Sequence, residues 1–177
     1  MSAPQAVFLD RDGTLIEDVG YPRDPDRVRL LPGVPEALQR LRQAGFRLVI
    51  VSNQSGVGRG LVTPEEVTAV HRRLIEVLEG HGVVIDDARY CHHAPEDACD
   101  CRKPSPAMLY AAAEHLGIDL AGSFMVGDKA SDAEAGRRAG AATVLLSADA
   151  GGGEAGADHL ARDLPQAVEL ILAAVPA

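Results

Sequence analysis

Two carboxylates come directly after an apolar run near the start of the chain. Ala6-Val7-Phe8-Leu9 is followed by Asp10-Arg11-Asp12-Gly13-Thr14. A continuous apolar run is typical of a strand buried on both faces, and open α/β sheets bind ligands outside the carboxyl ends of such strands. Two carboxylates held there repel each other unless a divalent cation lies between them. The pattern therefore predicts a metal-assisted reaction, although Asp residues at such a position also form ordinary turns.

Two other predicted strands also end in polar residues. Ser52-Asn53-Gln54-Ser55 follows Leu48-Val49-Ile50-Val51, and Gly127-Asp128-Lys129 follows Phe124-Met125-Val126. Alone, a serine at a strand end is more often a turn residue than a functional one, and Gly-Asp after a strand is likewise often only a turn. Because the carboxyl ends of parallel strands share one edge of a sheet, the three segments together predict a composite site at that edge.

Strand and helix patterns alternate along the chain, which predicts parallel pairing with right-handed crossovers. The predicted strands are Ala6–Leu9, Arg47–Ser52, a weaker Asp87–Tyr90, Ser123–Val126 and Ala142–Leu146. The predicted helices are Pro35–Ala44, Pro64 to about His81, Pro106–Leu116, Ser131–Ala139 and Leu164–Val175. We expect one α/β domain over residues 1–177, with a Rossmann-like parallel sheet flanked by helices and essentially no cap domain. A surface loop is expected at Gly151-Gly152-Gly153.

Composition narrows the function classes. The chain has 177 residues and is 46% hydrophobic, a composition that argues against disorder. Its formal charge of -9 gives no positive surface for binding nucleic acid or an anionic membrane. Only nine residues precede Asp10, too few for a signal peptide, and no apolar stretch is long enough to span a membrane. We therefore expect a cytoplasmic protein that acts on a small molecule, with a monomer as the default state.

All three cysteines lie in one short segment, Cys91-His92-His93 followed by Cys99-Asp100-Cys101. Three thiolates and one imidazole form the ligand set of a closed, structural Zn²⁺ site, whereas a disulfide would leave one cysteine unpaired. The chemistry alone leaves open which of the two histidines binds. This zinc loop, residues 91–101, leads into Arg102-Lys103-Pro104. Bound zinc is therefore expected to position two basic side chains.

The Asp-x-Asp-Gly-Thr motif at Asp10, together with the segments at Ser52, Lys103 and Asp128, resembles the phosphatases of the haloacid dehalogenase superfamily. The resemblance implies that Asp10 is the nucleophile, which forms an aspartyl-phosphate, and that Asp12 is the general acid and base. It also implies that Asp10, the backbone carbonyl of Asp12, and Asp128 bind Mg²⁺.

The same resemblance assigns further roles. Ser52 and Lys103 are expected to stabilise the transferring phosphoryl group, and His93 is favoured as the fourth zinc ligand after Cys91, Cys99 and Cys101. Asp132 either orients the water shell of the metal or is only an acid at a helix N-terminus.

Two groups of the superfamily share the zinc loop: heptose bisphosphate phosphatases and histidinol-phosphate phosphatases. Several segments resemble the heptose group, which removes the 7-phosphate from D-glycero-D-manno-heptose 1,7-bisphosphate. The substrate contacts implied are Asp18, Val19, Gly20, Tyr21, Asn53, Gln54, Ser55, Arg102 and Lys129. Arg102 could bind the second phosphate through two parallel hydrogen bonds, which favours the heptose bisphosphate.

Several alternatives stay open at this point. The chain could be a histidinol-phosphate phosphatase, a broad sugar-phosphate phosphatase or, less favoured, a zinc-stabilised interaction module without activity. Arg59 is either a substrate contact or a surface residue. The preferred anomer of the sugar and the pathway that uses the product are not indicated by the sequence.

Overall fold

The computed structural model describes residues 3–147 and 156–174. Six strands form one sheet in the order β3-β2-β1-β4-β5-β6, and every neighbouring pair is parallel. The strands are β1 Ala6–Leu9, β2 Arg47–Asn53, β3 Asp87–Cys91, β4 Phe124–Gly127, β5 Ala142–Leu146 and β6 His159–Ala161. Because β1 lies between β2 and β4, the ends of these three strands are adjacent.

Helices connect the strands and cover both faces of the sheet. They are α1 Val34–Gln43, α2 Ser55–Gly58, α3 Pro64–Gly80, α4 Ala107–Leu116, α5 Ala130–Ala139 and α6 Leu164–Ala174. The start of α3 shows why the sequence places a helix there. Thr63 and Glu66 form a capping box, in which the Thr63 hydroxyl accepts a hydrogen bond from the Glu66 N–H and the Glu66 carboxylate accepts one from the Thr63 N–H.

The core consists of two apolar layers, one on each face of the sheet. Val7 and Leu9 of β1 point into the larger layer, which includes buried residues of α1, α3 and α6. Phe8 points to the opposite layer, where Leu109 of α4 and Ala135 of α5 lie. A strand with both faces covered must be apolar at every position, which is why β1 reads as an uninterrupted apolar run.

The predicted fold class is confirmed. The five predicted strands and five predicted helices are present, with ends that agree or differ by one residue; the predicted end of the last helix, Val175, lies outside the described residues. The short elements were missed. They are β6, which has only three residues, two of them exposed, α2, a single turn that contains two glycines, and two 3-10 helices at Pro25–Arg27 and Pro95–Asp97. The predicted loop at Gly151-Gly152-Gly153 lies outside the described residues. No helix in the described part of the chain has the length and apolar character needed to cross a bilayer.

Candidate active site

The three strand ends singled out from the sequence meet at one edge of the sheet. Leu9 of β1 pairs with Ile50 of β2 on one side and with Val126 of β4 on the other. The Asp10 N–H continues this ladder by donating to the Val126 carbonyl over 3.0 Å. Asp10 therefore leaves the sheet between the polar segments that follow β2 and β4.

Three carboxylates cluster at this edge. One oxygen each of Asp10, Asp128 and Asp132 lies within 4.8 Å of the others. Burial, and then the charge of Asp10, raises the pKa of Asp128 to about 7. Burial also raises the pKa of Asp132. Ionising all three groups is therefore unfavourable without a compensating positive charge.

The cluster has the donor set that Mg²⁺ requires. Asp128 Oδ1 is buried and has no hydrogen-bond partner among the described residues, which leaves a lone-pair acceptor free for a cation. Mg²⁺ prefers oxygen ligands and is usually held by one or two carboxylates together with waters and substrate phosphate. The residues present fit that ion. Asp132 belongs to the same cluster, whereas the Asp12 carboxylate is engaged elsewhere.

Glycine at position 13 makes room for this cluster. Gly13 has a φ of +81°, and a Cβ added to it would lie 2.3 Å from Asp128 Oδ2. The turn after β1 thus requires the left-handed conformation and a close approach to the Asp128 carboxylate, both of which favour glycine.

Lys103 is the positive group within the cluster. Its ammonium lies 3.0 Å from Asp10 Oδ1 and 2.6 Å from Asp132 Oδ1, and it donates to the Val51 carbonyl over 2.7 Å. Burial alone lowers the pKa of Lys103, but the charges of Asp10 and Asp132 outweigh it, so the pKa is raised. Lys103 is therefore held as a cation despite being 3% exposed.

The backbone of Lys103 is fixed by Asn53. The Asn53 amide donates to the Lys103 carbonyl and accepts from the Lys103 N–H, both over 3.0 Å. The two residues are separated by fifty positions in the chain. Asn53 thus joins the end of β2 to the segment that follows the cysteines.

Asp12 is held by side chains from two directions. Gln54 Nε2 donates to Asp12 Oδ2 over 2.7 Å and also to the Ser52 hydroxyl over 2.9 Å. The Arg11 guanidinium donates to both carboxylate oxygens of Asp12. Ser52 is 1% exposed and lies behind Gln54 rather than among the residues that line the cavities described next.

A cavity of about 310 Å³ opens at this edge and brings together eight of the nine predicted substrate contacts. These residues are Asp18, Gly20, Tyr21, Asn53, Gln54, Ser55, Arg102 and Lys129. Val19 lines a neighbouring cavity instead. A smaller space of about 30 Å³, lined in part by Asp10, Asp12 and Lys103, lies at the carboxylates. Because Asp12, Asn53 and Lys129 line both, the larger cavity leads to the carboxylates and Lys103 around the small one.

The cysteine segment forms a compact ligand cluster. The Cys101 sulfur lies 3.0 Å from that of Cys91 and 3.6 Å from that of Cys99, and His93 Nδ1 is 3.3 Å from the Cys101 sulfur. His92 is not part of the cluster. Three soft sulfur donors and one imidazole converging on one point fit a tetrahedral Zn²⁺ without an open position.

The zinc loop is hydrogen-bonded to the walls of the cavity. The Cys91 carbonyl accepts from the Gln54 N–H over 2.7 Å, and the His92 carbonyl accepts from the Gly58 N–H over 2.8 Å. Arg102 donates to the His93 carbonyl over 3.4 Å. Arg59 donates to the Tyr21 hydroxyl over 2.9 Å, so it supports a cavity residue from behind.

Sequence reasoning left one residue of the site undecided and missed others. Asp132 was left undecided between a metal role and a helix-terminal acid; its distance of four residues from Asp128 was the available signal. Arg11 was not assigned a role from the sequence, and the structure shows it fully buried. Gly56 and Ser131 also line the cavity without having been anticipated.

Comparison with known proteins identifies the family. The profile of the haloacid dehalogenase-like hydrolases matches residues 17–140. The D-glycero-beta-D-manno-heptose-1,7-bisphosphate 7-phosphatase of Yersinia pestis is 39% identical over 178 residues, which cover 93% of this chain and 95% of the relative. The protein of the same name from Escherichia coli K12 is 40% identical over 148 residues, or 80% of this chain and 78% of the relative.

Solved structures agree with this assignment. The D,D-heptose 1,7-bisphosphate phosphatase of B. bronchiseptica, complexed with magnesium and phosphate, superposes with a TM-score of 0.86 at 35% identity, covering 97% of this chain and 99% of the other. The corresponding enzyme of Burkholderia thailandensis gives a TM-score of 0.70 at 31% identity, covering 95% and 98%. Since both the sequence and the fold match over nearly the whole chain, this protein belongs to the haloacid dehalogenase-like hydrolase family and is a phosphatase.

Proposed function

We propose that this phosphatase removes the 7-phosphate from D-glycero-β-D-manno-heptose 1,7-bisphosphate and releases the heptose 1-phosphate. The observation that carries the proposal is two adjoining cavities with different charged groups. The carboxylates and Lys103 lie at the small cavity, and the cationic side chains of Arg102 and Lys129 lie at the wall of the large one. A bisphosphate has a dianion for each cavity. The relatives named above carry the β-anomer in their names.

The first half of the reaction transfers the phosphoryl group to Asp10. A carboxylate oxygen of Asp10 attacks phosphorus, the bond from phosphorus to the sugar O7 breaks, and Asp12 donates a proton to the departing oxygen. Mg²⁺, bound by Asp10, Asp128 and the backbone carbonyl of Asp12 with Asp132 beside them, would neutralise charge on the phosphoryl oxygens. Lys103 adds a second fixed positive charge for the same oxygens, whereas the Ser52 hydroxyl, which lines neither cavity, accepts a hydrogen bond from Gln54 and so holds that side chain.

The second half regenerates the enzyme. Asp12, now a carboxylate, takes a proton from a water molecule as that water attacks the phosphorus of the aspartyl-phosphate. The bond from phosphorus to Asp10 then breaks, which releases inorganic phosphate and restores the Asp10 carboxylate. Splitting one displacement into two lets the same acid and base serve both directions of proton transfer.

Substrate selection falls to the cavity wall. Arg102 has a planar guanidinium that suits two parallel hydrogen bonds to the 1-phosphate, and Lys129 adds a point charge. Lys129 lies 3.6 Å from Asp18 Oδ2, which draws the loop after β1 towards the cavity. Asp18, Gly20, Tyr21 and the segment Asn53–Ser55 would then contact the sugar.

Zinc has a structural role in this proposal. The loop 91–101 has few buried apolar side chains of its own, so a metal cross-link replaces a core. Through the hydrogen bonds from its backbone to Gln54 and Gly58, the metal-bound loop would hold the cavity wall in place.

We also propose that residues 1–177 act as a single domain and as a monomer, which sedimentation equilibrium would test.

The test measures phosphate release in the presence of Mg²⁺ from both anomers of the heptose bisphosphate and from histidinol phosphate. We expect a preference for the β-anomer of the bisphosphate and a loss of several orders of magnitude in kcat for Asp10→Asn. Asp26→Asn, an exposed carboxylate outside the site, is the matched control and should retain full activity.

Each other outcome has a definite meaning. Preference for histidinol phosphate would show that the roles given to Arg102 and Lys129 are wrong. Similar rates on many sugar phosphates would indicate a broad phosphatase. Full activity of Asp10→Asn would overturn the nucleophile assignment.

A further inference from the structure

The middle residue of the nucleophile motif has an unusual environment. Arg11 lies between Asp10 and Asp12 in the chain, and its side chain is fully buried. Its Nε and Nη2 donate to Asp12 Oδ1 and Oδ2, each over 3.1 Å. Removing a guanidinium charge from water is energetically costly. The contacts that Arg11 makes beneath the Asp12 carboxylate must offset that cost, and they suggest a function for the residue.

An aromatic platform supports Arg11 from the other side. The guanidinium carbon lies 5.6 Å from the centre of the Tyr90 ring, within the range of a cation–π contact. The Tyr90 hydroxyl is in turn 2.6 Å from His71 Nδ1. Burial raises the pKa of Tyr90 to about 12, so the ring presents a neutral face. Arg11 is thereby fixed between Tyr90 and Asp12.

The number of hydrogen bonds at Asp12 limits how it can react. A carboxylate has about four lone-pair sites. Arg11 occupies two of them and Gln54 a third. Since Asp12 lines both cavities, the remaining site is the one available for a proton that passes to or from substrate.

We propose that Arg11 is a positioning residue for the phosphatase reaction: by binding both oxygens of Asp12, it fixes the plane of that carboxylate and directs its free lone pair towards the leaving oxygen. Lysine would keep the charge but could not make two parallel hydrogen bonds. The inference rests on the general acid and base role proposed above for Asp12.

The test compares two leaving groups in the Arg11→Lys variant. In the first step the Asp10–phosphorus bond forms, the bond from phosphorus to the leaving oxygen breaks, and Asp12 supplies a proton to that oxygen. A sugar alkoxide needs this proton, whereas p-nitrophenolate leaves as a stable anion. The parameter kcat/KM covers the steps up to departure of the leaving group and leaves out the later hydrolysis of the aspartyl-phosphate. Comparing kcat/KM for the two substrates therefore measures the contribution of this proton transfer.

We expect Arg11→Lys to lower kcat/KM for the heptose bisphosphate at least about tenfold through kcat, with KM nearly unchanged. Its kcat/KM for p-nitrophenyl phosphate should stay within about threefold of the parent value. Arg40→Lys is the matched control: Arg40 binds both oxygens of Glu169 on an exposed surface, and this variant should change neither value.

Two further variants separate the possible failures. Asp12→Asn should show the same selective loss on the alkyl phosphate; if it does not, the role proposed for Asp12 is wrong. If Asp12→Asn shows the loss and Arg11→Lys does not, only the inference about Arg11 fails. Tyr90→Leu removes the platform without altering the motif, and it takes the place of Arg11→Lys if that variant does not fold. An equal loss on both substrates would indicate a merely structural arginine.

Discussion

Replacement of Lys103 by Met is expected to destabilise the metal-free protein strongly. The ammonium lies between Asp10 and Asp132 at 3.0 and 2.6 Å, and both carboxylates are at least 94% shielded as side chains by the surrounding protein. Removing one partner from a buried ion pair leaves an uncompensated charge, which costs about 3–5 kcal/mol in the free energy of unfolding. Because Met has a similar length and is apolar, the loss of packing is small.

The size of this effect should depend on pH. The folded-state pKa of Asp132 is already raised above its ordinary value, so ionising Asp132 opposes folding as pH rises above the unfolded-state pKa near 4. Without Lys103 the folded-state pKa of Asp132 rises further. The Asp132 carboxyl group can then stay protonated in the folded protein to a higher pH, whereas at pH 8 it is driven to ionise. The destabilisation is therefore larger at pH 8.

Urea denaturation of magnesium-free protein at the two pH values measures this prediction. The double variant Lys103→Met with Asp132→Asn should recover part of the stability at pH 8, because one of the two unpaired charges is removed. Lys129→Met is the matched control, since Lys129 is the only other lysine in the chain. Its side chain is largely exposed, and the change should be within about 1 kcal/mol. A loss below about 1 kcal/mol for Lys103→Met at pH 8 would refute the reasoning.

Three other perturbations test separate parts of the site. Gly13→Ala should lower kcat at least about a hundredfold, because its Cβ would displace the Asp128 carboxylate; turnover at saturating Mg²⁺ measures this, and near-normal kcat would contradict the geometry. Elemental analysis should find one zinc per chain. Removing that zinc with a chelator, or replacing Cys99 by Ser, should lower kcat/KM while the far-UV circular dichroism of the sheet and helices persists. Arg59→Ala should raise KM a few-fold with little change in kcat, because it releases the Tyr21 hydroxyl; a large fall in kcat would mean that Arg59 acts at the reaction centre.

The parts of the fold that the sequence predicted are those that depend on local pattern. β1 and β4 are apolar throughout because helices cover both faces, and the polar residues that follow them mark the sheet edge. The predicted zinc ligands are also close in sequence, within residues 91–101, and the structure places them in one cluster. The orientation of Arg11 towards Tyr90 was not predictable, since it depends on a contact between residues distant in the chain. The same holds for Val19, whose neighbours in the loop face the predicted cavity while it lines another.

The two metal sites are connected by a short series of hydrogen bonds. The chain is acidic overall, with a charge of -9, so the cations that attract a phosphorylated substrate must be local. We assign this role to Lys103, whose backbone is held by Asn53. The next residue, Gln54, donates its N–H to the carbonyl of Cys91. Cys91 is also in the zinc cluster. A loop without a sizeable core could not hold Lys103 between two carboxylates against solvent, and this is the physical reason to expect that loss of zinc would also disturb Asp10, the proposed nucleophile.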